Sequence, residues 1–92
     1  MIHISTGFEH AYNAIMAELR GYINGSECRV NEILRILELL SKESISALFE
    51  QLRRNLDTWK NMGSISEDQY ERGLNKLEEI KRLVFEEIIE KS

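Results

Sequence analysis

Few side chains in this 92-residue sequence combine the identity and spacing that chemistry requires. His3 and His10 stand seven positions apart with Glu9 beside the second, so a metal held by imidazole and carboxylate is the first chemistry to weigh. The spacing does not serve it. There is no HExxH or Glu-x-x-His pair, His3 falls ahead of the first expected helix, and one cysteine cannot build a structural zinc site. Cys28 lies near an expected helix start, where the dipole would favour thiolate. No histidine is close to it in sequence, and it reads as a small packed thiol. Carboxylates recur as neighbours at Glu78-Glu79 and Glu86-Glu87. Adjacent helical residues diverge by about 100°, so these pairs form a solvated face and not an acid–base dyad. No glycine-rich phosphate loop and no GxSxG motif occur. The expectation is therefore a protein that is not an enzyme, with no catalytic residue, no metal and no cofactor.

Composition narrows the class. The length fits one domain spanning 1–92, near the lower limit of what a single core sustains. Proline is absent, and Leu, Ile, Glu, Lys and Arg dominate, which favours helices. A net charge of -4 opposes non-specific nucleic-acid binding, because phosphate contacts need a basic surface. No apolar run reaches the length of a membrane span, and Met1-Ile2-His3-Ile4 lacks the features of a signal peptide. With one cysteine and no disulfide, the expected location is cytoplasmic. Asn24-Gly25-Ser26 matches a glycosylation acceptor but reads as a turn.

Helices must position whatever function there is. Met62 to Tyr70 combines a stop with a start: Gly63 suits a left-handed helix end, Ser66 and Gln69 have capping-box spacing, and Ile65 and Tyr70 have staple spacing. Residues 1–5 read as a flexible arm. Thr6 and Glu9 form a second capping-box pair, opening a helix from Gly7 to Ile23 that carries Phe8, Tyr12, Ile15, Leu19 and Tyr22 on one seam. Ser26 is placed to cap the next helix. Ser41 or Ser44 then starts a third, with Ile45, Leu48, Phe49, Leu52, Leu56 and Trp59 in a stripe to Asn61. No glycine or proline enforces the break before it, so the second and third helices can also run on as one. The fourth runs from Glu67 to about Lys91, with Asp68 and Arg72 in a favourable i,i+4 pairing. Gly73 in its interior costs roughly 1 kcal/mol against Ala and marks either a close helix approach or nothing. The fold class is all-α, an antiparallel up-and-down bundle of four helices, or three if the middle pair is continuous.

The second helix is apolar most of the way round. Val30, Ile33, Leu34, Leu37 and Leu40 make one face, while Ile36 and Leu39 lie well off it. A bundle this small has little interior to bury a helix on all sides, so a second copy is the expected cover. Ile36, Leu39, Leu83 and Ile89 are the expected interface residues of a homodimer. The alternative partner is an amphipathic helix of another protein laid into the same groove. The functional expectation is a small interaction, adaptor or regulatory module, with no membrane partner.

Two resemblances supply other classes. Leu19-Arg20-x-x-Ile23 followed by Ile33-Leu34-x-Ile36-Leu37-x-Leu39-Leu40 resembles the first helix of small all-helical chorismate mutases. That resemblance implies arginines and lysines converging on a dianionic substrate, although Asn24-Gly25-Ser26 interrupts what that family keeps as one helix. Val30 to Leu52 is similar to the first two helices of winged helix-turn-helix regulators, with Gly63-Ser64-Ile65 resembling the step out of a recognition helix. It implies a DNA-associated regulator in which Arg53, Arg54 and Lys60 touch phosphates. A long helix replaces the wing.

Overall fold

Two glycine turns and one glycine-free connection set the topology. The computed structural model describes the backbone of residues 3–89 and the side chains of residues 7–87. Its elements are α1 (His3–Ile23), α2 (Val30–Leu37), α3 (Lys42–Asn61) and α4 (Glu67–Val84), and α4 ends in a π-helical turn over Phe85–Ile89. The four-helix, all-α architecture is the one composition and periodicity predict. None of the helices in the described residues is long and apolar enough to cross a membrane.

The ends of α1 and α3 close in the same way. Gly63 (φ 78°) donates to the Lys60 carbonyl at 3.1 Å, and Ser64 N–H reaches back to Trp59 at 2.9 Å. Gly25 (φ 108°) and Ser26 repeat the pair on Tyr22 and Gly21 at 3.0 and 2.8 Å. Both are Schellman closures, in which a left-handed residue lets two N–H groups satisfy otherwise orphaned carbonyls. Beyond the second, the capping box forms in full. Gln69 N–H donates to Ser66 Oγ at 3.1 Å, and Ser66 N–H to Gln69 Oε1 at 2.9 Å.

Three boundaries differ from the sequence expectation. The α1 backbone begins at His3, so Thr6 lies inside the helix and not at its N-cap; of the expected arm 1–5, Met1 and Ile2 lie outside the described residues. Ser26 does not cap α2: its N–H closes α1, and the helix starts at Val30 with Arg29 at the N-cap. The fourth helix leaves regular α geometry at Val84, while residues 90–92 lie outside the description. The middle connection is a true break. Leu39 and Leu40 fall to i–3 bonds on Ile36 and Leu37, and Ser41 turns extended (φ -72°, ψ 163°), its Oγ accepting from Ser44 N–H at 3.2 Å.

One core holds the four together. Ile15 and Leu19 of α1, Ile33 and Leu37 of α2, Leu48, Leu52 and Leu56 of α3, and Leu77, Ile80 and Val84 of α4 are all buried. The chain measures 36 × 29 × 18 Å over its Cα atoms. Helix axes pack about 8–10 Å apart, so the 18 Å dimension accommodates two helical layers and no helix is enclosed all round. α4 is central, packing on α1 and α3, whereas α2 packs on α1 and α4 and scarcely on α3.

Gly73 settles its own reading as a close approach. A Cβ built there would lie 3.2 Å from Ile23 Cγ2 and 3.2 Å from Leu56 Cδ2, at the point where α1, α3 and α4 meet. Gly73→Ala gains about 1 kcal/mol of helix propensity and loses a similar amount to crowding, so denaturant melts should place it within about 1 kcal/mol of wild type. Gly73→Val has no such compensation and should lose about 2–3 kcal/mol. A Val variant as stable as wild type would mean that the three helices do not meet at this residue.

Candidate interaction surface

The positions expected to form an interface do not share one environment. Leu39 is 86 % exposed in the α2–α3 connection, the most exposed large apolar side chain among the described residues. Ile36 is half-buried and packs against the edge of the core, so only part of its surface is free. Leu83 is also half-buried. The side chain of Ile89 lies outside the described residues.

The positions expected to touch phosphates also separate. Arg53 and Arg54 are exposed neighbours on α3. Lys60 is engaged: its Nζ lies 3.5 Å from Glu67 and 4.7 Å from the centre of the Tyr70 ring. Arg53 borders an open cleft between α3 and α4 of about 270 Å³, floored by Phe49, Leu77 and Phe85. Glu50, Glu78 and Lys81 complete its rim, which therefore carries both signs of charge. Such a rim does not concentrate the positive potential that phosphate binding needs.

Cations elsewhere are engaged with aromatic rings and carboxylates. Arg20 stacks 4.6 Å over Trp59, and Lys76 binds Glu79 at 3.0 Å while lying 4.8 Å from the Tyr22 ring. Arg72 does not follow its i,i+4 spacing to Asp68; it donates to the Tyr22 carbonyl at 3.0 Å and covers that ring at 4.9 Å. Tyr70 donates to Asp57 at 2.5 Å, a bond that holds its hydroxyl proton and raises its pKa. No group of three His, Cys, Asp or Glu that could hold a metal occurs among the described residues. His10 is exposed.

The arrangement that sequence reasoning missed lies at the start of α2. Glu18, on α1, accepts from the Arg29 backbone N–H at 3.0 Å and from its guanidinium at 2.9 and 2.6 Å. One carboxylate thus caps α2 from another helix and clasps the N-cap side chain. A capping acid eleven residues away leaves no local signature, and only the α1–α2 turn brings it into place. The Arg29 guanidinium and N–H hold the Glu18 carboxyl below its ordinary value of 4.5. Next to it Cys28 is half-buried, and burial, aided by the Glu18 charge, pushes its thiol up. A raised thiol is the opposite of what a nucleophile needs.

The chain matches no protein family model, no curated protein and no solved structure.

The Glu18 clasp gives stability a pH dependence of known sign. A carboxyl depressed on folding stabilises above its unfolded value, near 4.5, and that contribution is lost as pH falls through the folded value. Wild type should therefore melt above Glu18→Gln at about pH 7, with the difference shrinking as pH is lowered below the unfolded value near 4.5 and vanishing once pH falls below the depressed folded value. A difference that stayed constant across the series would show that the charge of Glu18 does not hold α2.

Proposed function

We propose that this protein is a small interaction module, an adaptor or regulatory element that acts as a helical homodimer in the cytoplasm. The observation that carries the reading is Leu39, 86 % exposed beside a short helix whose other apolar side chains are already in or against the core. An exposed leucine one turn from half-buried Ile36 is apolar surface that a second chain can cover. The charged residues supply supporting contrast. Arg20, Arg29 and Lys60 are each engaged with a carboxylate or an aromatic ring, and the two cations that do share a point, Arg72 and Lys76, share the Tyr22 ring, with Lys76 also bound to Glu79. An amphipathic helix of another protein is the alternative cover for the same surface.

Light scattering coupled to size exclusion, on wild type and Leu39→Glu, tests the reading. Fully burying one leucine is worth about 1.5 kcal/mol or more, and a symmetric dimer buries two. Leu39→Glu should therefore weaken a wild-type dimer by about 100-fold or more, with helicity and melting temperature of the monomer unchanged because the site is exposed there. A wild-type monomer at every concentration would overturn the homodimer.

A further inference from the structure

We infer that the dimer forms by exchange of hairpins: residues 38–41 straighten, α2 and α3 become one helix, and each copy's α1–α2 hairpin packs on the other's α3–α4 hairpin. The inference rests on the dimer reading above and deepens it by stating which surfaces the copies share.

The packing divides along this line. α1 packs on α3 and α4, and α2 packs on α4, but α2 scarcely touches α3. Straightening the connection therefore gives up almost no α2–α3 packing, and every other contact between the hairpins can be remade with the second copy. The occupant of each exposed face is already known to fit it, because it is the chain's own hairpin. Exchange of an identical element is a low-cost route to a dimer for this reason.

Each hairpin is tied internally and moves as a unit. The first has its Schellman closure at Gly25 and the Glu18–Arg29 clasp at 2.6 Å. The second has the closure at Gly63, the Ser66–Gln69 capping box, and the Tyr70–Asp57 bond at 2.5 Å.

The connection differs from both of those turns. Neither glycine nor proline stands in Glu38-Leu39-Leu40-Ser41, and Glu38, Leu39, Leu40 and the following Lys42 are good helix formers. Glu38 is already helical (φ -60°, ψ -21°). Ser41 has a helical φ of -72°, and only its ψ of 163° departs. Its hydroxyl cap on Ser44 N–H at 3.2 Å holds the break open, and a continuous helix would supply that N–H with a carbonyl instead. Leu39 has no role in the single copy, where it is 86 % exposed. In the exchanged dimer two straightened helices pass each other at the two-fold axis, and Leu39 lies at that crossing. Each helix, spanning residues 30–61, would be about 48 Å long, more than the 36 Å longest dimension of the single folded chain.

Two variants test this on the full chain. Lys42 is the first residue of α3, a position that accepts proline, and extended Ser41 suits the residue before one. Proline within a continuous helix breaks it. Lys42→Pro should therefore keep the folded single copy, with unchanged helicity, and abolish the dimer. Separately, Gln69 Nε2 lies 3.2 Å from Asn24 Oδ1 across the two hairpins. In a Cys28→Ser background, Asn24→Cys with Gln69→Cys, treated with a flexible bis-maleimide that spans the two thiols, should cross-link the isolated dimer between chains, giving a covalent dimer on a denaturing gel. Gln69 leaves the capping box in both forms, so its loss does not bias the comparison. A dimer that survives Lys42→Pro, or that yields only intrachain cross-links, overturns the exchange and leaves a face-to-face dimer through Leu39. A wild-type monomer at all concentrations overturns both readings.

Discussion

Three helices meet at Gly73, where the absence of a side chain lets two neighbours pack against the α4 backbone. Ile23 of α1 and Leu56 of α3 both reach the α4 backbone at this point, closer than any Cβ would comfortably allow. The approach makes α4 the shared wall of the bundle, with α1 on one side and α3 on the other. It also brings the two glycine turns to the same end of the molecule, where Gln69 of the capping box touches Asn24 of the first turn at 3.2 Å. A helix interior spends propensity on a glycine only where a neighbour occupies the space, and here two neighbours do.

With α1, α3 and α4 so tightly assembled, α2 is left as the peripheral element. It is eight residues long, below the length at which a helix persists unaided in water, so its packing must hold it. Ile33 and Leu37 provide that packing and are fully buried. Its N-terminus has no side-chain cap of its own, and Glu18 of α1 takes that role from across the turn. α2 is thus folded by its neighbours, through one clasp and the apolar side chains that Val30, Ile33, Leu34, Ile36 and Leu37 set in or against the core. Elements of this kind open at lower free energy than the core they cover. The consequence falls on the connection that follows it, where two successive i–3 bonds and one serine cap are all that separates α2 from α3.

What was legible in the sequence was what is local. The stop at Gly63, the capping box from Ser66 to Gln69 and the α3 stripe through Leu56 each depend on residues within a turn or two, and each forms as spacing predicts. Thr6–Glu9 has the same spacing, yet the α1 backbone starts earlier, because a capping pair permits a helix start without enforcing one. Ser26 fails as a cap for a different reason: α2 begins only at Val30, with Arg29 at the N-cap, so no helical N–H lies at the N2 or N3 position from its hydroxyl. The Glu18–Arg29 clasp needs the turn to exist before its partners meet, so no linear pattern encodes it. Helical angle separated Ile36 and Leu39 from the core face but could not give depth. One is half-covered by the bundle and the other almost bare, a difference set by where the helix ends.

The distribution of charge bears on what such a surface can do. Catalysis on a charged substrate needs groups held together against their mutual repulsion, an arrangement that costs folding energy and shows as perturbed, unpaired titratable side chains. The perturbed groups here have ordinary causes: Glu18, Arg29 and Lys76 are shifted by their ion-pair partners, Tyr70 by a hydrogen bond to Asp57, and Cys28 by burial. Every buried side-chain nitrogen and oxygen among the described residues has a partner. Among the described residues Leu39 is the most exposed large apolar side chain, ahead of Met62 and Phe85, and it sits in the one connection that lacks a glycine or proline to enforce its bend. A leucine in a polar connection is tolerated in a single chain but gains nothing there. In the exchanged dimer proposed above, straightening the connection would place that leucine at the crossing of two helices, so the helix break and the proposed interface stand or fall together.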